Sequence, residues 1–248
     1  MKLLNSDCSL VMLHGFLGNH HDFDEIISLL PEDLRSRTIA IDLPGHNNNE
    51  PANFRESIHY IDQHIQNNNI NNFVLYGYSL GGRLATNYAF NARNSHLKGL
   101  ILESSSFGIT DEERKMREGT DLMWASQFAL KKPEEILTNW YNQPIFDGLT
   151  DLQKRQLINL RRSQDFHKLA IQFDATSVAH QENYRNRLNE LSIQVNYIYG
   201  GKDQKYTLAA QRENNYKNFT SYCVAEAGHN IHTFFPQRIV NIITKCEI

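Results

Sequence analysis

The chain has 248 residues, which is enough for one large domain or for one domain that carries an insertion. Its net charge of −3 gives no overall electrostatic reason to bind nucleic acid or an anionic membrane. A mean hydropathy of −0.53 and the lack of a long apolar run exclude a transmembrane span, and the early first strand leaves no room for a signal peptide.

The cysteines argue against a disulfide framework or a zinc site. Cys8, Cys223 and Cys246 are three in number and form no C-x-x-C pair. We therefore expect a reducing, cytoplasmic compartment and no metal. The neighbours His20 and His21 do not change this expectation, because no third ligand is evident and a polar helix start explains them.

Six short apolar runs alternate with helical patterns along the chain. The predicted strands cover residues 10–13, 38–41, 73–76, 97–102, 195–199 and 221–224. The predicted helices between them cover residues 23–30, 54–65, 81–91 and 207–215. This alternation is typical of an α/β protein with a mostly parallel sheet covered by helices on both faces. In such sheets, reactive groups collect in loops at the carboxyl ends of the strands.

The alternation breaks between residues 108 and 190, which are helical and polar without a convincing strand. Helix starts are predicted at Thr110, Pro133 and Thr150. We interpret residues 108–190 as a helical lid inserted in a core formed by residues 1–107 and 191–248. A lid of this kind shields a site from water and supplies binding groups.

The most informative motif is the Gly-x-Ser-x-Gly pattern of residues 77–81, directly after the third strand and before a helical pattern. A strand, a sharp turn and a helix in this order hold a serine hydroxyl in the open at the end of a parallel strand. Glycines are required on both sides because the turn leaves no room for Cβ atoms. Ser79 is therefore the predicted nucleophile or base.

A serine at neutral pH requires a base, and the base requires an acid that orients it. Asp203 and His229 each follow a predicted strand, and the order serine, aspartate, histidine matches that of α/β-hydrolases. Glu103 is the alternative acid, and His232, which a surface helix position would also explain, is the alternative base. The backbone N–H groups of Phe16 and Leu80 are the predicted oxyanion-hole donors.

Residues 13–18, 42–46, 77–83 and 227–230 resemble the 2-succinyl-6-hydroxy-2,4-cyclohexadiene-1-carboxylate (SHCHC) synthase family, which has the α/β-hydrolase fold. The lid segments 112–114, 139–144 and 160–161 resemble the same family. Arg83 and the run 140–144 are the specific part of this resemblance. One local departure is Asn47, where many relatives have glycine.

The resemblance implies a lyase of menaquinone biosynthesis that eliminates pyruvate from an enolpyruvyl cyclohexene carboxylate and needs no cofactor. In such an enzyme Ser79, activated by His229, takes a proton from carbon. The resemblance further implies carboxylate binding by Arg83, Arg117 and Arg161, although Arg114 competes with Arg117. It implies a pocket wall of Tyr78, Trp140 and Phe146. The alternatives are an ester or thioester hydrolase with the same triad and a non-catalytic binding protein.

Overall fold

The structure, a computed structural model, describes residues 1–92 and 94–248 and is built on one parallel six-stranded sheet. The strand order is β2-β1-β3-β4-β5-β6, and every neighbouring pair is parallel. The strands are β1 (Ser9–Leu13), β2 (Thr38–Ile41), β3 (Phe73–Tyr78), β4 (Leu97–Glu103), β5 (Gln194–Gly200) and β6 (Phe219–Val224). Each of the six apolar runs is therefore a strand, as predicted.

Helices cover both faces of this sheet, which confirms the predicted α/β architecture. The helices outside the β4–β5 connection are α1 (Asp24–Leu29), α2 (Glu32–Arg35), α3 (Phe54–Asn67), α4 (Leu80–Asn91), α9 (Gln204–Glu213), α10 (Ile231–Phe234) and α11 (Pro236–Ile243). Val11 and Leu13 of β1 join the core shared with α3, α4 and α9. Leu10 and Met12 point the other way, into the core shared with α1 and α11, because strand side chains alternate between faces.

The connection between β4 and β5 carries helices α5 (Asp111–Leu130), α6 (Pro133–Tyr141), α7 (Asp151–Arg161) and α8 (Phe166–Ala175). Capping boxes at Thr110 and Thr150 and a proline at the first turn of α6 begin three of these helices, as predicted. An apolar cluster that includes Phe128, Trp140 and Phe173 holds them together. None of the helices in the described part of the chain combines the length and apolar character that crossing a bilayer requires.

Candidate active site

Ser79 lies at the sharp turn between β3 and α4, with a positive φ of 50° and a ψ of −103°. This backbone region is costly for a residue with a side chain and is kept only where the surroundings enforce it. The Ser79 N–H donates to the Glu103 carbonyl (2.9 Å), and the Ser79 carbonyl accepts from the Arg83 N–H (3.1 Å). The neighbouring strand and the new helix therefore hold the turn from both sides, and the side chain remains partly exposed.

Asp203 and His229 form a buried pair beside Ser79. The His229 Nδ1 atom lies 2.8 Å from Asp203 Oδ2, and the two residues are 2% and 4% exposed, respectively. The other carboxylate oxygen, Oδ1, caps α9 by accepting from the Tyr206 N–H (3.2 Å). His229 and Ser79 line one cavity, without a hydrogen bond between them in the described part of the chain.

Glu103, the alternative acid, is paired with the alternative base instead. Its Oε1 atom accepts from the Ile231 N–H (2.8 Å) and the His232 N–H (3.0 Å) and lies 3.0 Å from His232 Nδ1, while the Tyr76 hydroxyl donates to Oε2. Burial alone would raise the pKa of Glu103, but the His232 charge and these hydrogen bonds lower it below its usual value. His232 is 2% exposed, so a surface position for it is wrong.

The segments that carry the two predicted oxyanion-hole donors approach each other where α4 packs against the end of β1. A Cβ atom on Gly81 would lie 2.1 Å from the Leu13 carbonyl oxygen, and one on Gly15 would lie 2.5 Å from the Tyr78 ring. Only glycine permits these approaches. Among the residues that the structure describes, the N–H groups of Phe16 and Leu80 have no hydrogen-bond acceptor. Both groups are free to bind a developing negative charge.

Two buried neutral histidines position the loops that follow β1 and β2. His14 Nε2 accepts from the Leu43 N–H (2.9 Å), and His46 Nε2 accepts from the Leu17 N–H (3.1 Å). Burial lowers the pKa of His14 to about 4 and that of His46 to about 3. The remaining nitrogen of each ring, Nδ1, then carries the proton and donates to a carbonyl of its own loop (2.8 Å in each case).

The cavity lies between the carboxyl edge of the sheet and helices α5, α6 and α8, and three cationic side chains line it: Arg83, Arg117 and Lys205. Arg83 Nη1 donates to the Thr176 carbonyl (2.6 Å), and Arg117 Nε donates to Asp121 Oδ1 (2.5 Å). Each arginine therefore keeps further N–H groups for a ligand. Burial lowers the pKa of Arg83 to about 10, so the group stays charged at neutral pH.

Aromatic side chains form a further part of the wall. Tyr78, Trp140 and Phe146, the residues that the family resemblance implies for the pocket wall, line the cavity. The Tyr78 ring packs between two histidines, with centroids 5.2 Å from His229 and 4.2 Å from His232. Phe146 meets His229 edge-on at 5.7 Å. These rings offer apolar surface to a ligand, and the polar and charged groups of the lining can fix its orientation.

Similarity to known proteins identifies the family of this chain. Residues 9–236 match the family described as the alpha/beta hydrolase fold. The chain is 36% identical to a putative 2-succinyl-6-hydroxy-2,4-cyclohexadiene-1-carboxylate synthase of Haemophilus influenzae, over 96% of this chain and 98% of that protein. It is 34% identical to the synthase of Yersinia enterocolitica, over 92% and 82%. A solved structure of MenH from S. aureus superimposes with a TM-score of 0.87 at 27% identity, covering 97% and 93%.

The chain belongs to the SHCHC synthase family of α/β-hydrolases. This confirms the family resemblance and the fold that the sequence predicts. An esterase from Exiguobacterium antarcticum has a TM-score of 0.75 at 21% identity, which is a likeness of fold alone.

In this member of the SHCHC synthase family, Arg161 is not among the cavity-lining residues. Arg161 Nη1 lies 2.7 Å from Asp22 Oδ1, with side chains 6% and 8% exposed, and the guanidinium also hydrogen-bonds Tyr141, which does line the cavity. Burial alone would lower the pKa of Arg161, but the charge of Asp22 and the contact with Tyr141 raise it above its usual value. The carboxylate-binding role that the family resemblance implies for Arg161 stays a prediction, and its guanidinium contacts Asp22 and Tyr141 in this structure.

Of the two neighbouring arginines Arg114 and Arg117, only one lies at the cavity among the described residues. Arg117 lines the cavity, whereas Arg114 does not and instead donates from Nη2 to the Gln181 carbonyl (3.3 Å). Among the described residues, no three histidine, cysteine or acidic side chains are grouped so that they could hold a metal ion. His20 and His21 face separate carboxylates, those of Asp42 and Asp24, at 2.8 Å each.

Two charged residues that line the cavity, Lys205 and Asp121, were not predicted from the sequence. Lys205 follows Asp203 by two positions, in the first turn of α9, and Asp121 follows Arg117 by one helical turn. Helical spacing could have indicated the Arg117–Asp121 pair. The side of α9 that faces the cavity depends on packing, so no local pattern indicated Lys205.

Proposed function

We propose that the chain is an SHCHC synthase in which Ser79, His229 and Asp203 form the catalytic centre. The substrate would be 2-succinyl-5-enolpyruvyl-6-hydroxy-3-cyclohexene-1-carboxylate, and the products SHCHC and pyruvate. The observation that carries this proposal is one cavity that contains the Ser79 turn, the buried His229–Asp203 pair and three cationic side chains. A lipase-like enzyme for neutral esters has no use for those cations.

In the proposed reaction, His229 Nε2 removes the proton of Ser79 Oγ, and the oxygen then takes the ring proton next to the succinyl carbonyl. The electron pair of that C–H bond moves into the ring, the ring double bond shifts, and the bond to the enolpyruvyl oxygen breaks. The leaving enolate gains a proton and becomes pyruvate. Substrate binding must bring Ser79 and His229 into hydrogen-bonding range, and Asp203 holds the imidazole in the required tautomer.

Negative charge develops on the succinyl carbonyl oxygen when the carbon loses its proton. The unpaired N–H groups of Phe16 and Leu80 would receive that oxygen. Preorganised donors of this type stabilise the charge without reorganisation, and the loss of one costs about 10²–10³ in rate. The buried neutral rings of His14 and His46 support this role because they hold the Phe16 loop in place.

Arg83 of α4 and Arg117 of α5, which both line the cavity, would bind substrate carboxylates. The single contact of each guanidinium with protein leaves a forked pair of N–H groups, which suits a planar carboxylate. Asp121 accepts from Arg117 through Oδ1 and from the Ser177 hydroxyl through Oδ2. Ser177 therefore helps to fix the carboxylate that positions the Arg117 guanidinium. Tyr78, Trp140 and Phe146 would contact the cyclohexene ring.

We further propose that residues 108–190 act as the lid of this site, on the core formed by residues 1–107 and 191–248. The support is that α5 and α6 supply Arg117 and Trp140 to the cavity wall. Phe16 of the β1 loop packs its ring against Phe128, Trp140 and Phe173, at centroid distances of 5.1–5.4 Å. Closure of the lid would therefore also order the loop that carries one oxyanion-hole donor.

The deciding experiment measures pyruvate release from the enolpyruvyl substrate. Wild-type protein should release pyruvate, Ser79→Ala should lose most of the rate, and Ser28→Ala, an exposed control on α1, should keep it. No pyruvate from wild-type protein would refute the synthase. A hydrolase would instead turn over a simple aryl ester rapidly and form an acyl intermediate on Ser79.

A further inference from the structure

We propose that the side chain of Asn230 binds the ring hydroxyl of the substrate, a specificity role that rests on the proposed synthase function and deepens it. Asn230 directly follows His229 in the chain, lines the same cavity and is 6% exposed. Arg83 and Arg117 suit carboxylates, whereas the 6-hydroxyl of the cyclohexene ring is uncharged and both donates and accepts hydrogen bonds. A carboxamide complements such a hydroxyl because it also offers a donor and an acceptor.

The Asn230 carboxamide has no partner among the residues that the structure describes. Its Oδ1 atom is buried without a donor, and no protein acceptor meets its Nδ2 atom. Apart from Ser79, the other serine, threonine and glutamine side chains of the lining hydrogen-bond the protein, namely Ser106, Gln143, Thr176 and Ser177. An unpaired buried polar group costs free energy of folding, so its presence in a cavity wall points to a ligand that pairs with it.

The capping role that an asparagine usually has at a helix start is taken by a different residue. Asn230 directly precedes α10, but its side chain does not cap that helix. Glu103 Oε1 instead accepts from the N–H groups of Ile231 and His232, at 2.8 and 3.0 Å. Because the buried carboxylate satisfies these donors, the carboxamide of Asn230 is left free for the cavity.

The ring hydroxyl is retained in SHCHC, which predicts how loss of this contact should appear in the kinetics. A contact made equally in substrate, transition state and product lowers KM and leaves kcat unchanged. Asn230→Leu keeps the approximate side-chain size and removes both hydrogen-bonding groups. In pyruvate release, this variant should raise KM by about 3- to 10-fold and keep kcat.

The test compares the binding of two ligands by calorimetry, SHCHC and 2-succinylbenzoate. Both carry the ring carboxylate and the succinyl arm, but 2-succinylbenzoate has no ring hydroxyl. Asn230→Leu should weaken SHCHC binding by about 3- to 10-fold and leave 2-succinylbenzoate binding unchanged, and Asn230→Ala should show the same selectivity. Asn67→Leu, a control at an exposed position of α3 outside the lining, should change neither affinity.

Thermal unfolding separates this ligand-binding role from a structural one. Asn230→Leu removes an unpaired buried polar group and breaks no hydrogen bond of the protein, so its Tm should equal or exceed that of wild type. A lower Tm together with an equal loss of affinity for both ligands would show that Asn230 holds the His229 loop, which overturns the hydroxyl-binding role.

The same assays distinguish failure of this inference from failure of the synthase proposal. If wild type releases pyruvate but Asn230→Leu and Asn230→Ala keep the affinity for SHCHC, the Asn230 role is overturned and the synthase stands. If wild type releases no pyruvate, the synthase fails, and binding that does not distinguish the two ligands overturns the Asn230 role as well.

Discussion

Loss of either partner of the ion pair between Arg161 and Asp22 should destabilise the contact between the proposed lid and the core. Arg161 ends α7, and Asp22 lies in a short 3-10 helix between β1 and α1, so the pair joins segments that are far apart in sequence. The atoms lie 2.7 Å apart, and both side chains are almost fully buried. Removing one partner leaves the other charge buried without compensation, which costs about 3–5 kcal/mol.

Arg161→Met and Asp22→Asn should each lower the free energy of unfolding by about that amount. For a protein of this length, each kcal/mol corresponds to roughly 2–4 °C in Tm, so the expected drop is about 6–20 °C. The double variant should recover part of the loss because no unpaired charge remains. Arg162→Met, at the exposed neighbouring position, is the control and should stay within about 0.5 kcal/mol of wild type.

Urea unfolding of these variants tests the reasoning. A loss below about 1 kcal/mol in both single variants would show that the pair does not hold the lid. The same variants also test the carboxylate-binding role that the family resemblance implies for Arg161. If Arg161 contacts substrate, Arg161→Met loses kcat/KM at a temperature where it is folded, whereas Asp22→Asn, which keeps the arginine, retains it.

Two further predictions concern pH and the His229 loop. The pKa values of His14 and His46 are about 4 and about 3 in the folded chain against 6.5 in the unfolded chain, so acid protonates the unfolded state first. The contribution of these two histidines to the free energy of unfolding should therefore be complete above about pH 6.5 and should decrease as the pH falls below that value. His14 alone should account for a loss of about 3 kcal/mol at pH 4. A free energy of unfolding that does not fall between about pH 7 and pH 4.5 would contradict this prediction. Glu103→Gln keeps the side-chain volume but removes the charge that holds residues 231–232. It should lower kcat roughly tenfold with little change in KM, and an unchanged kcat for pyruvate release would rule out a positioning role.

Sequence patterns were sufficient to predict the fold and the positions of the side chains that follow the carboxyl ends of the strands. A run of β-formers followed by Gly-x-Ser-x-Gly and a helical pattern predicts the position of Ser79, because strand, turn and helix are all specified by neighbours in sequence. Asp203 and His229 could be predicted in the same way, since parallel strands bring their carboxyl ends to one edge. The structure accordingly places all three side chains at that edge.

The tertiary structure decided which charged groups face the cavity and which are buried in pairs. Arg161 and Lys205 both carry a positive charge, yet Arg161 pairs with Asp22 whereas Lys205 lines the cavity. Glu103 and Asp203 both follow strands, yet only Asp203 meets His229. These choices depend on how distant loops approach one another, and the energy of a buried charge depends on its partners in space, so neighbours in sequence do not determine it.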